Sequence, residues 1–152
     1  MKTQQLNYLS PMAVSEKIVF QKNTKDQQIE IVDYKNTRSL YFDGRTLQSR
    51  ELKNAPHILS LSYTSYLMFS VCLFEKPPER VFLIGLGGGS LVKFLHYHFP
   101  DCHIDIVEKS QLVIELSGSF FNIYRNRKLN IYCGDAMDYI TSNMDTMNYD
   151  LI

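Results

Sequence analysis

Cysteine is scarce in this chain of 152 residues: Cys72, Cys102 and Cys133 are odd in number, far apart and free of any Cys-x-x-Cys spacing. That argues against a disulfide framework or a zinc knot and makes a reducing cytoplasm the expected home. Net charge is missing too. With 16 basic and 16 acidic side chains the formal balance is +0, so no global field draws the chain to nucleic acid or to an anionic membrane, and neither is expected as a partner. Long apolar runs are also absent. The nearest, residues 58–74, has no formal charge but is only 17 residues long and contains four serines, a threonine and two tyrosines. Its composition suits a largely buried helix of a soluble domain rather than a span. Gln4, Gln5 and Asn7 break up the start of the chain, so no signal-peptide core is expected there. His96, His98 and His103 lack metal-ligand spacing, because the first two fall two apart on an expected helix and face apart.

What the chain does have is one abrupt change of texture. The apolar run Val81-Phe82-Leu83-Ile84 stops in Gly85-Leu86-Gly87-Gly88-Gly89-Ser90 and resumes as Leu91-Val92-Lys93-Phe94-Leu95. This reads as a buried strand, a tight turn and a helix whose first amides are unpaired, an arrangement that suits a nucleotide-like ligand. A glycine cluster alone also makes a plain turn. A second apolar run, Ile104-Asp105-Ile106-Val107-Glu108, ends in an acid 23 positions after Gly85, room for one crossover helix. A carboxylate at that strand tip can accept hydrogen bonds from a ribose.

At 45% hydrophobic and 21% charged, the composition supports one modest core with an appendage. Residues 1–15 read as an extension. Residues 16–55 read as a small antiparallel β region, with strands at Ile18-Val19-Phe20, at 28–34 and at Ser39-Leu40-Tyr41-Phe42, and with 47–53 polar and ambiguous. Residues 56–79 read as a connecting helix opened by Pro56 and ended by Pro77-Pro78. Residues 80–152 read as half of a Rossmann-like nucleoside-binding domain. In it Ser90 caps a helix with Leu91, Phe94 and Leu95 on its inner face. A helix over 111–121 then buries Leu112, Ile114, Leu116 and Phe120, and 129–132 forms a third strand. The whole is an α/β fold with an incomplete doubly wound, mostly parallel sheet. The last residues, Tyr149-Asp150-Leu151-Ile152, read as the start of a fourth strand, which gives the chain the look of a truncated domain that a homo-oligomer or another partner could complete.

If the strands are parallel, Gly85, Gly87, Gly89, Glu108 and Asp135 meet at their carboxyl ends. Asp135 can accept from an exocyclic amino group such as that of adenine, or cap the helix beginning at Ala136. Gln48, His57 and Tyr63 can line a second-substrate pocket if their segment lies beside the glycine loop; a polar linker with a satisfied histidine accounts for them equally. No catalytic residue stands out.

The ordered set of Tyr41-Phe42-Asp43-Gly44, Gln48-Ser49-Arg50, the Tyr63 helix, the 81–90 strand and loop, Ile106-Val107-Glu108, Gly134-Asp135-Ala136 and Tyr149-Asp150-Leu151-Ile152 resembles the spermidine synthase family, within the class I S-adenosylmethionine-dependent methyltransferase fold. The resemblance spans about residues 17–152. It implies an N-terminal β domain, a seven-stranded catalytic domain, commonly dimeric subunits and aminopropyl transfer from decarboxylated S-adenosylmethionine to putrescine or another small amine. It assigns Gly85, Gly87 and Gly89 to the donor loop, Glu108 to the ribose and Asp135 to the adenine, with Gln48 a counterpart of the family's glutamine. The donor is a cosubstrate, so no tightly bound cofactor and no metal are expected. Two departures stand out. Gly88 occupies the place of the family's loop aspartate, and the aspartate expected beyond the fourth strand lies past Ile152, so turnover by this chain is expected to be impaired or absent. The alternatives are a methyltransferase using S-adenosylmethionine and a noncatalytic nucleoside-binding or interaction module.

Overall fold

The computed structural model describes residues 15–25 and 27–152; the extension expected over residues 1–15 lies, but for Ser15, outside them. Strands β1 (Lys17–Asn23), β2 (Gln28–Tyr34), β3 (Thr37–Phe42) and β4 (Thr46–Leu52) form an antiparallel meander in that order. Two tight turns set its register. Tyr34 pairs with Thr37 across Lys35-Asn36, and Phe42 pairs with Thr46 across Asp43-Gly44-Arg45, where Gly44 and Arg45 take φ of 61° and 65°. Ile29, Ile31 and Leu40, each about fully buried, share one face and join the apolar side chains of the C-terminal half. The two halves thus share one core.

β4 is the strand that the polar text of 47–53 concealed. Thr46-Leu47-Gln48-Ser49-Arg50-Glu51-Leu52 has no aliphatic alternation because its inward side chains, Ser49 and Glu51, are polar and are used in contacts with the second half. A bulge interrupts it: Leu40 pairs with Ser49 and Tyr41 with Leu47, leaving Gln48 as the extra residue.

The connecting helix is shorter than expected. α1 covers Ser62–Phe69 and passes into a 3-10 turn over Ser70–Leu73, while 56–61 are a turn followed by irregular chain. The Ser60 hydroxyl donates to the Arg50 carbonyl at 2.6 Å, holding this segment against β4 in place of a first helical turn. The expectation of a largely buried helix also fails. Thr64 and Met68 are buried, but Tyr66 and Leu73 are each 77% exposed, because only one side of α1 meets the protein. Among the described residues no helix is long and apolar enough to cross a membrane.

The second half is built on β5 (Arg80–Ile84), β6 (His103–Glu108) and β7 (Leu129–Cys133), parallel and in that order. Leu151 makes a parallel bridge with Val81, on the edge of β5 that β6 does not use, so the expected fourth strand starts there. The strand order therefore reverses at β5. α2 (Ser90–His98) and α3 (Gln111–Phe121) cover one face, where Val81, Leu83, Ile104, Ile106, Leu129 and Ile131 form a continuous apolar surface. α4 (Ala136–Asn143) covers the other, stacking Tyr139 on Phe82 at 5.4 Å. On that face Asp105 is buried and accepts from Tyr149 Oη and Asn130 Nδ2, each at 2.7 Å. Burial raises the pKa of the Tyr149 phenol, and its hydrogen bond to the Asp105 carboxylate raises it further.

Two helices sit at a different rotation from the one expected. In α2 the buried positions are Ser90, Val92 and Leu95, with Leu91 and Phe94 half-buried; in α3 they are Val113, Leu116, Ser117, Gly118 and Phe121. Both helices lie between two sheets, so contact with the antiparallel sheet rotates the most buried line away from the one that amphipathic spacing favours.

Candidate functional site

Reversal of strand order at β5 opens a crevice beyond the carboxyl ends of the strands, and a cavity of about 310 Å³ lies there. Its floor is the 85–89 loop. Gly85 has φ of 88° and a Cβ there would meet nothing within 4 Å, so its glycine answers to backbone geometry; at Gly89 (φ 70°) a Cβ would stand 2.5 Å from Ile123 Cγ1. Gly89, not Ser90, is the N-cap of α2, so Ser90 is its first helical residue and its side chain makes no cap hydrogen bond. The first helical bond runs from Lys93 N–H to the Gly89 carbonyl at 3.0 Å. The amides of Ser90, Leu91 and Val92 are thus the unpaired first-turn donors, at the positive end of the helix dipole.

Glu108 closes one side of the cavity. Its Oε2 accepts the Leu86 amide at 2.9 Å and its Oε1 accepts the Ser110 amide at 2.8 Å. Each oxygen keeps one acceptor position, so the loop amides aim the carboxylate and leave half of its capacity for a ligand. Ser110 in turn caps α3, accepting from the Val113 amide at 3.3 Å.

The opposite wall comes from the antiparallel sheet and α1. The Gln48 carbonyl accepts from Tyr63 Oη at 2.7 Å, tying α1 to the bulge of β4, and burial pushes the Tyr63 phenol pKa up. Ser49 reaches the loop itself, where its Oγ accepts the Gly88 amide at 2.9 Å. Beside it Glu51 is paired with Lys93 of α2, both nearly buried, and Arg38 donates to the Phe120 carbonyl of α3 at 2.7 Å while forking onto Asp33 at 2.8 and 2.9 Å. Polar bonds thus fix the sheet against both helices and the loop.

Of the residues singled out from sequence, Gln48, Tyr63, Gly85, Gly87, Gly89 and Glu108 line this one cavity. Asp135 stands outside its lining. It is the N-cap of α4, accepting the Met137 amide at 2.9 Å, with Lys109 Nζ 3.4 Å away; the Met137 bond, then Lys109, lowers its pKa. His57 also stands apart, its ring stacked on Tyr97 at 3.7 Å. Sequence reasoning gave no ligand role to Ser49 or Ser90, which the fold brings into the cavity wall. Ser49 stood in a polar stretch with no periodic signal, and Ser90 read as a cap.

No protein-family model matches the chain. Among curated proteins it is 28% identical over 151 residues to the polyamine aminopropyltransferase of Vibrio vulnificus, covering 95% of this chain and 50% of that protein. It is 37% identical over 70 residues to the eEF1A lysine and N-terminal methyltransferase of Mus musculus, covering 46% of this chain and 10% of that protein. Among solved structures, a probable spermidine synthase from Corynebacterium glutamicum superposes with a TM-score of 0.68 at 16% identity, over 83% of this chain and 48% of that one. Human methyltransferase-like protein 13, in complex with SAH, superposes with a TM-score of 0.56 at 27% identity, over 60% of this chain and 46% of that one. The chain spans about half the length of the aminopropyltransferase it matches. The parallel half thus has the class I S-adenosylmethionine-dependent methyltransferase fold, and the chain is similar to polyamine aminopropyltransferases, the likeness that its ordered motifs implied.

Proposed function

We propose that the cavity binds an adenosyl-sulfonium donor and holds it for transfer of an alkyl group to an amine. The observation that carries this reading is Glu108: at the carboxyl end of β6, aimed by two backbone amides, it keeps one acceptor position on each oxygen for a ribose diol beside the loop after β5. The parallel half matches a structure holding SAH, which supports a ligand of that class. Gln48 and Tyr63 supply the acceptor-side wall. They exclude water and hold the amine in line with the sulfonium carbon, lowering the entropic part of the barrier; attack needs the amine neutral. Asp135, beyond the cavity at the tip of β7, caps α4 through Oδ1 and meets Lys109 Nζ through Oδ2, whose remaining acceptor position takes the adenine amino group.

Two forms of this transfer are each supported by an observation. Aminopropyl transfer from decarboxylated S-adenosylmethionine to a small amine is supported by a likeness to the Vibrio protein that runs through the antiparallel sheet as well as the parallel half. Methyl transfer from S-adenosylmethionine is supported by Gly88 and by a wall that holds, among its described residues, no acid besides Glu108.

Calorimetry with methylthioadenosine tests the shared part. Saturable binding is expected, weakened at least about 10-fold in Glu108→Gln, which removes charged acceptance of two hydroxyls. A folded chain that binds no adenosyl ligand would end this reading. Mass spectrometry of putrescine and other small amines incubated with each donor then separates an aminopropylated from a methylated product.

A further inference from the structure

We propose that Ser49 and Ser90 form a hydroxyl pair that receives the α-carboxylate of an amino-acid tail on the adenosyl donor, so that this site selects S-adenosylmethionine over its decarboxylated form. The assignment rests on the adenosyl-donor reading and chooses between its two forms.

Hydrogen-bond accounting at one end of the cavity points this way. Ser49 is only 5% exposed, and its Oγ already accepts the Gly88 amide at 2.9 Å. That bond turns the oxygen toward the loop and leaves the hydroxyl proton to be given elsewhere, and no described residue takes it. Ser90 is 9% exposed, and its hydroxyl likewise has no partner among the described residues. Both side chains line the same cavity. Both residues are nearly buried but face the cavity, so the unused protons are available there to a ligand or to water. The two stand at the start of α2, where the amides of Ser90, Leu91 and Val92 add further donors at the positive end of the helix. This end of the wall therefore offers donors, and a carboxylate is the group that accepts from several donors at once.

An ammonium-ended tail needs the opposite. Glu108 is the single acid among the described residues of the wall, each of its oxygens already takes a backbone amide, and its remaining positions belong to the ribose on the adenosyl reading. A side chain at Gly88 would be crowded as well. A Cβ there would lie 3.0 Å from both Ser49 Cβ and Phe121 Cε1, so an acid at this place needs Ser49 and Phe121 to give way by a few tenths of an ångström.

The test is calorimetry on the 152-residue chain with three ligands that share adenosine and differ in the tail: S-adenosylmethionine, its decarboxylated form and methylthioadenosine. S-adenosylmethionine is expected to bind more tightly than the decarboxylated form. Ser90→Ala should weaken S-adenosylmethionine about 10-fold and leave methylthioadenosine within about twofold, while Ser49→Ala, which also unpairs the Gly88 amide, should weaken S-adenosylmethionine about 10-fold more than methylthioadenosine, with thermal melts showing that the variants fold. Equal or tighter binding of the decarboxylated donor would overturn the assignment, and so would a parallel loss for all three ligands, which marks a loop-positioning role only. Methylthioadenosine binding with no carboxylate preference sinks this assignment alone; failure of all three to bind the folded wild-type chain sinks the adenosyl reading together with it.

Discussion

In the parallel half, Val81, Ile104, Ile106, Leu129 and Ile131 meet α2 and α3 as an unbroken aliphatic surface. The antiparallel sheet meets the glycine loop through Ser49 and the same two helices through Glu51 and Arg38, set among Ile31 and Leu40. The difference is one of directionality. Aliphatic contact is proportional to buried area and tolerates small slides, whereas a hydrogen bond or ion pair falls away steeply with misalignment. The parallel half therefore carries most of the shared core, and the antiparallel sheet is pinned so that β4 stands at a set distance from the glycine loop. A cavity whose two walls come from different sheets needs that second kind of contact.

The most severe way to break the pinning is to unpair its buried charges. Lys93 and Glu51 side chains are 13% and 8% exposed, so Glu51→Ala leaves an ammonium buried without its counter-charge and should cost about 3 kcal/mol. Urea unfolding measures this, and the double variant Glu51→Met/Lys93→Met should recover most of the loss. A single-variant cost near zero, or simple additivity of the two changes, would show that the pair is not what holds the sheets together.

A smaller effect is expected where the glycine loop is crowded. At Gly89 a Cβ combines φ of 70° with a 2.5 Å approach to Ile123, so Gly89→Ala should cost about 2 kcal/mol and weaken methylthioadenosine binding. Gly134→Ala is the control, since a Cβ there meets nothing within 4 Å; thermal melts should separate the two clearly.

The smallest effect is electrostatic and depends on pH. The Arg38 guanidinium, helped by Lys53, holds the Asp33 carboxyl at about 2 against an ordinary 3.8. Because the folded-state value is the lower one, the stabilisation is complete above pH 4 and disappears as pH falls toward 2. Discounted for solvent screening it amounts to about 1 kcal/mol. Urea midpoints of the wild type should fall over that interval more than those of Asp33→Asn, and parallel curves would remove Asp33 from the account of how β2 and β3 are tied to α3.

How much was legible divides along the same line. The strand, glycine turn and helix from 81 to 98, the acid ending β6 and the bridge at Leu151 could be read because a buried parallel strand is a run of apolar residues and its end is an abrupt stop. β4 could not be read, since Ser49 and Glu51 bury polar atoms against partners 39 and 42 residues away, and local texture carries no sign of a distant partner. α1 read as longer and more buried than it is, because an uncharged stretch says that burial is tolerated and not which side is covered.

The sequence by itself determined the local part: which segments are strands and helices in the parallel half, and that glycines and an acid gather at the strand tips, since these come from period, turn chemistry and chain connectivity. Only the tertiary structure decided that Gln48, Ser49 and Tyr63 share a wall with Glu108 while His57 and Asp135 stand outside it. It also decided that Ser90 begins α2 instead of capping it. The physical reason is that a wall made by two sheets is set by the angle and register at which they pack, and those come from Ser49 on Gly88, Glu51 on Lys93 and Arg38 on Phe120, contacts that exist only once both sheets have formed.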